Sequence, residues 1–292
     1  MSLTIPLGLK TAIESGNCVL FIGAGIGYSM TGFDGNPVPD GASLARELAH
    51  HFRIDTESTD LAKVSQICSL RRPRGELDDY LRKRLANIEP NDHVKWLITN
   101  RWRAIYTTNY DLGIERAYEH NSATLQTPVS VSAIQDLVDS DPRFQVPIFH
   151  IHGSPFGTHQ SIVITQDDYA MFRERRRMLF ESLKLHFATS TILYIGYSHR
   201  DPNWTLVWNE LSTEFGTSKL PVSYRVSPET DEIDVEIMKA RGLESIQCQF
   251  DEFAILARNE LSAATIEPDR LLQLAKSVPK DLFNAFEKNP AA

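Results

Sequence analysis

The stretch Cys18–Ser29, CVLFIGAGIGYS, decides the fold. Its first five residues, Cys18 to Ile22, are all apolar, with Gly16 and Asn17 before them and Gly23 after them. A strand with one wet face would alternate, so an unbroken apolar run of this length reads as a parallel strand buried on both faces. The run passes directly into Gly23, Ala24, Gly25, Ile26 and Gly27. Glycines at a strand-to-helix corner let the backbone turn tightly and approach a ligand, and the free amides of such a corner suit a pyrophosphate. The spacing is GxGxG, not the ordinary dinucleotide fingerprint GxGxxG, so the turn by itself leaves a tight bend without a ligand as an open alternative.

Outward from this strand, Gly8 to Ser15 reads as a short helix. From Ser43 to about Asn100 the segments SLARELAHHF, DLAKVSQICSL, ELDDYLRKRL and HVKWLITN repeat apolar residues at three- and four-residue spacing, which predicts a helical insertion at about 34–100. Beyond it, strand-like RAIYTTN, VPIFHIHGS, TILYIGYS and PVSYRVS alternate with the helical patterns LGIERAYEHN, ITQDDYAMFRERRRMLFESLKLHFA and PNWTLVWNELSTEF. A last strand and helix follow in IQCQFDEFAILARNELSAA, and DLFNAFEK gives the tail at about 265–292 an amphipathic stretch. Strands alternating with helices predict an α/β fold: one domain over 1–292 built on a Rossmann-like parallel sheet flanked by helices.

The composition narrows the function. A chain of 292 residues with 42% hydrophobic residues can bury a sizeable core. A formal net charge of -8 disfavours phosphate backbones and anionic lipid, so direct nucleic-acid binding is not expected. There is no long apolar run and no basic flank leading into one, which points away from a membrane and towards the cytoplasm. The three cysteines, Cys18, Cys68 and Cys248, lie far apart and form no CxxC pair. Neither a disulfide framework nor a structural zinc site is expected. His150 and His152 stand two apart on an expected strand, where their side chains would share a face, but no third ligand is spaced to join them and no metal is expected.

Four short motifs occur in order: Gly23-Ala24-Gly25, then Tyr106-Thr107-Thr108-Asn109-Tyr110-Asp111, then His150-Ile151-His152-Gly153-Ser154, then Ile195-Gly196-Tyr197-Ser198 followed by Asp201-Pro202. Together, over roughly residues 15 to 255, they resemble the sirtuin family, and in particular its bacterial branch of sirtuin-like NAD+-consuming effectors. The resemblance implies NAD+ as substrate at the edge of a parallel sheet. It implies that Gly23, Ala24 and Gly25 take the pyrophosphate, that Thr108, Asn109 and Asp111 stand on the nicotinamide-ribose side, and that His152 is the catalytic histidine with Asn109 beside it. Gly196 and Ser198 resemble a second nucleotide-contacting turn. Asp201 reads equally as a ribose ligand and as the start of a helix at Asp-Pro-Asn.

Two departures matter. Where the family places a serine just after the glycine turn this chain has Gly27, which makes Ser29 the candidate to supply its contacts. The four-cysteine zinc module usual in protein-deacylating members is absent from the sequence, which favours an NAD+ glycohydrolase over an NAD-dependent deacylase. In that reading Asn109 hydrogen-bonds a ribose hydroxyl or the attacking water, His152 removes a proton, Asp111 orients the nicotinamide amide, and nicotinamide and ADP-ribose leave. A non-catalytic NAD+ or ADP-ribose sensor is the reading from another class. The bacterial branch further implies antiviral defence by NAD+ depletion, or abortive infection. Homo-oligomerisation, a hexameric HerA-like ATPase or an Argonaute-type protein are the implied means of restraint.

Overall fold

Every residue of Cys18–Ile22 is buried, and the strand serves two cores at once. Cys18, Leu20 and Ile22 point into one apolar cluster, Val19 and Phe21 into another on the opposite face. This is the two-residue alternation of a strand with no solvent side.

The computed structural model describes residues 3–32, 34–131, 141, 143–156, 162–198, 202–215, 220–228 and 231–261. Their elements run in order α1 (Leu7–Glu14), β1 (Cys18–Ile22), a 3-10 turn (Ala24–Ser29), β2 (Met30–Thr31), α2 (Gly41–His51), α3 (Leu61–Arg71), α4 (Arg74–Arg84), β3 (Glu89–Pro90), α5 (Asp92–Leu97) and β4 (Ala104–Thr107). They continue with α6 (Gly113–Glu119), β5 (Thr127–Val131), β6 (Gln145–His150), α7 (Gln166–Arg175), α8 (Arg177–Thr189), β7 (Thr191–Ile195), α9 (Pro202–Phe215), β8 (Ser223–Ser227), α10 (Glu232–Ala240), β9 (Leu243–Gln247) and α11 (Phe250–Glu260). The tail expected at about 265–292 and Asp201 lie outside the described residues.

Seven strands pair in the order β5-β6-β4-β1-β7-β8-β9, each pair parallel. The fold is the α/β, Rossmann-like one that the strand and helix patterns predict. One core cluster packs beneath α1, α2 to α6 and α11, the other beneath α7 to α10. On the second face Phe149, Tyr106, Phe21 and Tyr194 form an aromatic row across four adjacent strands, with neighbouring ring centres 4.6, 6.2 and 5.1 Å apart. These rings knit the centre of the sheet to its neighbours beyond the ladder hydrogen bonds.

After β1 the chain moves to β4 on one side and, once β5 and β6 are laid down, crosses back to β7 on the other. The order therefore reverses beside β1, and in open parallel sheets the crevice at that reversal, outside the carboxyl ends of the strands, is where ligands bind. All four sequence motifs sit at those carboxyl ends, on the neighbouring strands β6, β4, β1 and β7. The segment between β1 and β4 carries α2 to α5 together with the antiparallel pair β2–β3. Asp40, Asp60 and Asn91 cap α2, α3 and α5 by accepting from the amides of Ser43, Lys63, and both His93 and Val94, as helix starts require.

Two expectations need correction. The glycine turn leads into a six-residue 3-10 turn and then β2, not into an α-helix; with three glycines in five residues the segment is a poor α-helix former. The strand expected through His152 ends at His150. His152 lies in the following turn, where the Gly153 amide bonds back to the His150 carbonyl over 3.0 Å, so the two imidazoles do not share a face.

Candidate functional site

The loops after β1 and β7 meet backbone to backbone. Gly23 donates to the Ile195 carbonyl over 2.9 Å and Gly25 to the Gly196 carbonyl over 2.8 Å. A Cβ on Gly23 would come within 2.5 Å of the Gly196 carbonyl oxygen, and one on Gly25 within 2.8 Å of the Gly196 Cα. Gly196 has φ +64, and a Cβ there would land on the Ile26 amide. These glycines are fixed by the closeness of the two loops, because a side chain at any of the three would drive into the other loop's backbone.

The cavity beside these turns measures about 850 Å³, within the range of small-molecule sites. One wall comes from the sheet edge: Ala24, Gly25, Thr108, Asn109, Asp111, His152, Gly196 and Ser198. The facing wall comes from the starts of α2 and α3, and Tyr28, Tyr169 and Tyr197 add aromatic surface. Of the candidate residues, those eight are brought together. Gly23 stands one residue behind the lining.

Ser29 does not join them. Its hydroxyl donates to Asp251 Oδ1 over 2.7 Å, and it is not among the cavity-lining residues. Nor can position 27 supply a side chain on this backbone, because a Cβ on Gly27 would lie 2.8 Å from the Val38 carbonyl oxygen.

The Asn109 amide donates to the Thr107 hydroxyl over 3.0 Å, which turns the chain sharply off β4. Asn109 is buried, and its side-chain oxygen has no hydrogen-bond partner among the described residues. A buried amide oxygen left unsatisfied costs about 1–3 kcal/mol, and Asn109 is also a lining residue of the cavity. Asn109 does not cap α6. The N-cap of α6 is Leu112, without a side-chain cap, and Asp111 just before it accepts from the Gly113 amide through Oδ1 over 2.8 Å. Burial pushes the Asp111 carboxyl above the ordinary carboxylate range, against the pull of that amide and of His150.

His152 is buried at the cavity wall, its ring edge-on to Tyr169 and Phe172 at centre distances of 5.3 and 5.6 Å. Three bonds hold its surroundings: Val163 donates its amide to the His152 carbonyl, the Tyr110 hydroxyl donates to the Val163 carbonyl, and the Ser154 hydroxyl to the Tyr110 carbonyl, at 2.8, 2.9 and 2.8 Å. The loops that carry Asn109 and His152 are thereby one stitched unit.

Tyr28, Tyr169, Tyr197, Asp40 and Asp60 line the cavity without having been singled out in the sequence. Tyr28 follows the glycine turn, Tyr197 stands inside the fourth motif without a role of its own, and the two aspartates carry a helix-start signal. Tyr169 sits on α7 with nothing in its neighbourhood to mark it. Among the described residues no group of three or more His, Cys, Asp or Glu is placed to hold a metal ion, and no helix is long and apolar enough to cross a membrane.

Residues 103–246 match the family described as SIR2-like domain. The chain is 28% identical over 205 residues to NAD(+) hydrolase ThsA of Enterococcus faecium, covering 68% of this chain and 41% of that protein. It is 25% identical over 207 residues to NAD(+) hydrolase ThsA of Cytobacillus dafuensis, covering 70% of this chain and 40% of that protein. It thus spans about two fifths of the length of these curated relatives. Among solved structures, an ADP-ribose complex of a Sir2 homologue variant aligns with a TM-score of 0.46 at 13% identity, covering 87% of this chain and 96% of that one. A Sir2 homolog–NAD complex aligns at 0.39 and 13%, covering 90% and 98%.

Proposed function

We propose, from a chain that carries a SIR2-like domain, that this protein is an NAD+ glycohydrolase that cleaves the nicotinamide–ribose bond to give nicotinamide and ADP-ribose. The observation that carries the reading is the Asn109 side-chain oxygen, buried without a partner among the described residues at the wall of a cavity that His152 also lines. The name NAD(+) hydrolase borne by two relatives supports it.

In this reaction the electron pair of the C1'–nitrogen bond leaves with nicotinamide and neutralises its ring. The ribose becomes oxocarbenium-like, and water adds to C1'. The protein's share is to hold the ribose and water in place and to take a proton. Asn109 Oδ1 accepts a hydrogen bond from a ribose hydroxyl or from the water. His152 takes the proton that the water releases as it adds. Asp111, on the same wall of the cavity, orients the nicotinamide carboxamide. The backbone of Gly25 and Gly196, bare of side chains, and of Ala24, with only a methyl, is the surface offered to the pyrophosphate. Ser198 and Thr108 line the same cavity.

The reading extends to NAD+ depletion in antiviral defence, with turnover restrained by self-assembly or by a separate ATPase or Argonaute-type partner, since unrestrained NAD+ loss would harm the cell that makes it. Incubating the purified protein with NAD+ and no acylated peptide, over a range of protein concentrations, tests it. Nicotinamide and ADP-ribose in equal amounts are expected. Tight NAD+ binding without product at every concentration would replace the hydrolase with a sensor, and turnover only with an acyl-lysine peptide would replace it with a deacylase.

A further inference from the structure

Behind the cavity wall lies a pair of buried ionisable side chains to which the reaction above gives no part. His150, the last residue of β6, sits in register with Thr107 of β4. Its Nε2 is 2.8 Å from Glu115 Oε1, on the first turn of α6, and its Nδ1 is 3.3 Å from the backbone carbonyl of Asn109. A carbonyl and a carboxylate both accept. The carbonyl can only accept, so Nδ1 carries hydrogen, and with Glu115 ionised Nε2 carries one as well, which makes the ring an imidazolium. The Ser130 hydroxyl donates to the same Glu115 oxygen over 2.8 Å, while Glu115 Oε2 is buried without a partner among the described residues.

We propose that His150 and Glu115 are positioning residues, a buried imidazolium–carboxylate pair that fixes the Asn109 carbonyl and the turn to His152 and so sets both reacting side chains against the cavity. The inference rests on the hydrolase reading for the reaction it serves. His150 is where the two candidates join: it holds Asn109 by a hydrogen bond, and its own carbonyl closes the turn through the Gly153 amide at 3.0 Å, next to His152. Neither side chain lines the cavity, so contact with a substrate does not explain them.

A buried ion pair is weak evidence for stability, because desolvation offsets the attraction, but breaking one by removing a single partner is costly. The charges facing the pair agree with its ionised form. Burial pulls the His150 imidazole down, yet Glu115, the Asn109 carbonyl and Asp111 together raise it above its ordinary value. Burial pushes Glu115 up, and His150 with Ser130 brings it below. Asp111 from the same loop and the Tyr118 hydroxyl from α6 are the other titratable groups at the pair.

The test combines histidine ring NMR with nicotinamide release for the wild type, Glu115→Gln, His150→Gln and the double variant. The wild-type His150 is expected to hold hydrogen on both ring nitrogens at neutral pH and above, and Glu115→Gln to release one by neutral pH. Each single variant is expected to lose about 10- to 100-fold in kcat with KM within about threefold, the pattern of lost transition-state alignment. The double variant is expected to be no worse than either single, because the two act as a unit. The alkaline limit of the kcat profile should move down in Glu115→Gln. If that variant does not fold, Glu115→Asp keeps the charge on a shorter arm, and it should leave His150 protonated with a smaller loss. A neutral His150 in the folded wild type overturns the pair whatever the turnover. Unchanged kcat, or a rise in KM alone, with His150 neutral in Glu115→Gln overturns its positioning role. A silent wild type with a protonated His150 removes the hydrolase reading and upholds the pair.

Discussion

Gly25 donates its backbone amide to the carbonyl of Gly196 over 2.8 Å, joining the loop after β1 to the loop after β7 where the strand order reverses. A side chain at position 196 meets two obstacles. The backbone there has φ +64, and a Cβ would fall on the Ile26 amide and the Gly25 backbone. Gly196→Ala is therefore expected to cost about 2–4 kcal/mol of unfolding free energy in urea. A loss under about 0.5 kcal/mol, the range of indifferent surface changes, would mean that the two loops are not packed this way.

Ser29 gives the opposite kind of prediction. With its hydroxyl bonded to Asp251 and no place in the lining, Ser29→Ala should cost about 1 kcal/mol of stability and leave the KM for NAD+ nearly unchanged. A KM raised tenfold or more would return Ser29 to the binding site.

The far side of the sheet supplies a pH dependence. His186 Nδ1 lies 2.8 Å from the Tyr106 hydroxyl, and burial, helped by the charge of Arg103, pushes its imidazole down from 6.5 to about 4. A lowered folded value means that the unfolded chain takes the proton first, so the stabilisation is complete above 6.5 and is lost as pH falls towards 4. His186→Gln removes that titration. The stability difference between wild type and variant should shrink across this window by at most about 3 kcal/mol, and a difference that stays constant with pH would contradict the burial of a neutral ring.

The sheet was legible because its central strands are unbroken apolar runs. Cys18–Ile22 and Thr191–Ile195 could not be half-wet, and their glycines marked where each ended. The motifs were legible in order, but only the topology explains why they converge, since four separate segments end at the carboxyl edges of four neighbouring strands. Local spacing misled at two points. His150 and His152 look like one face of a strand, yet the strand stops between them, and one ring turns to Glu115 while the other meets the cavity. Ser29 looks like a displaced phosphate ligand, but its hydroxyl is claimed by Asp251, 222 residues away. Tyr169 and the Glu115–His150 pair carry no local signature at all, because each is defined by a partner distant in sequence.

The central claim is that Asn109 and His152 act together on NAD+ in one cavity. The most direct measurement is nicotinamide release by the wild type, Asn109→Ala and His152→Ala, with NAD+ binding and thermal unfolding followed on the same samples. The account predicts that both variants stay folded and still bind NAD+, while turnover falls by about 100-fold or more in each, the scale of losing a positioned acid–base or orienting group. Wild-type turnover retained in either folded variant would contradict it.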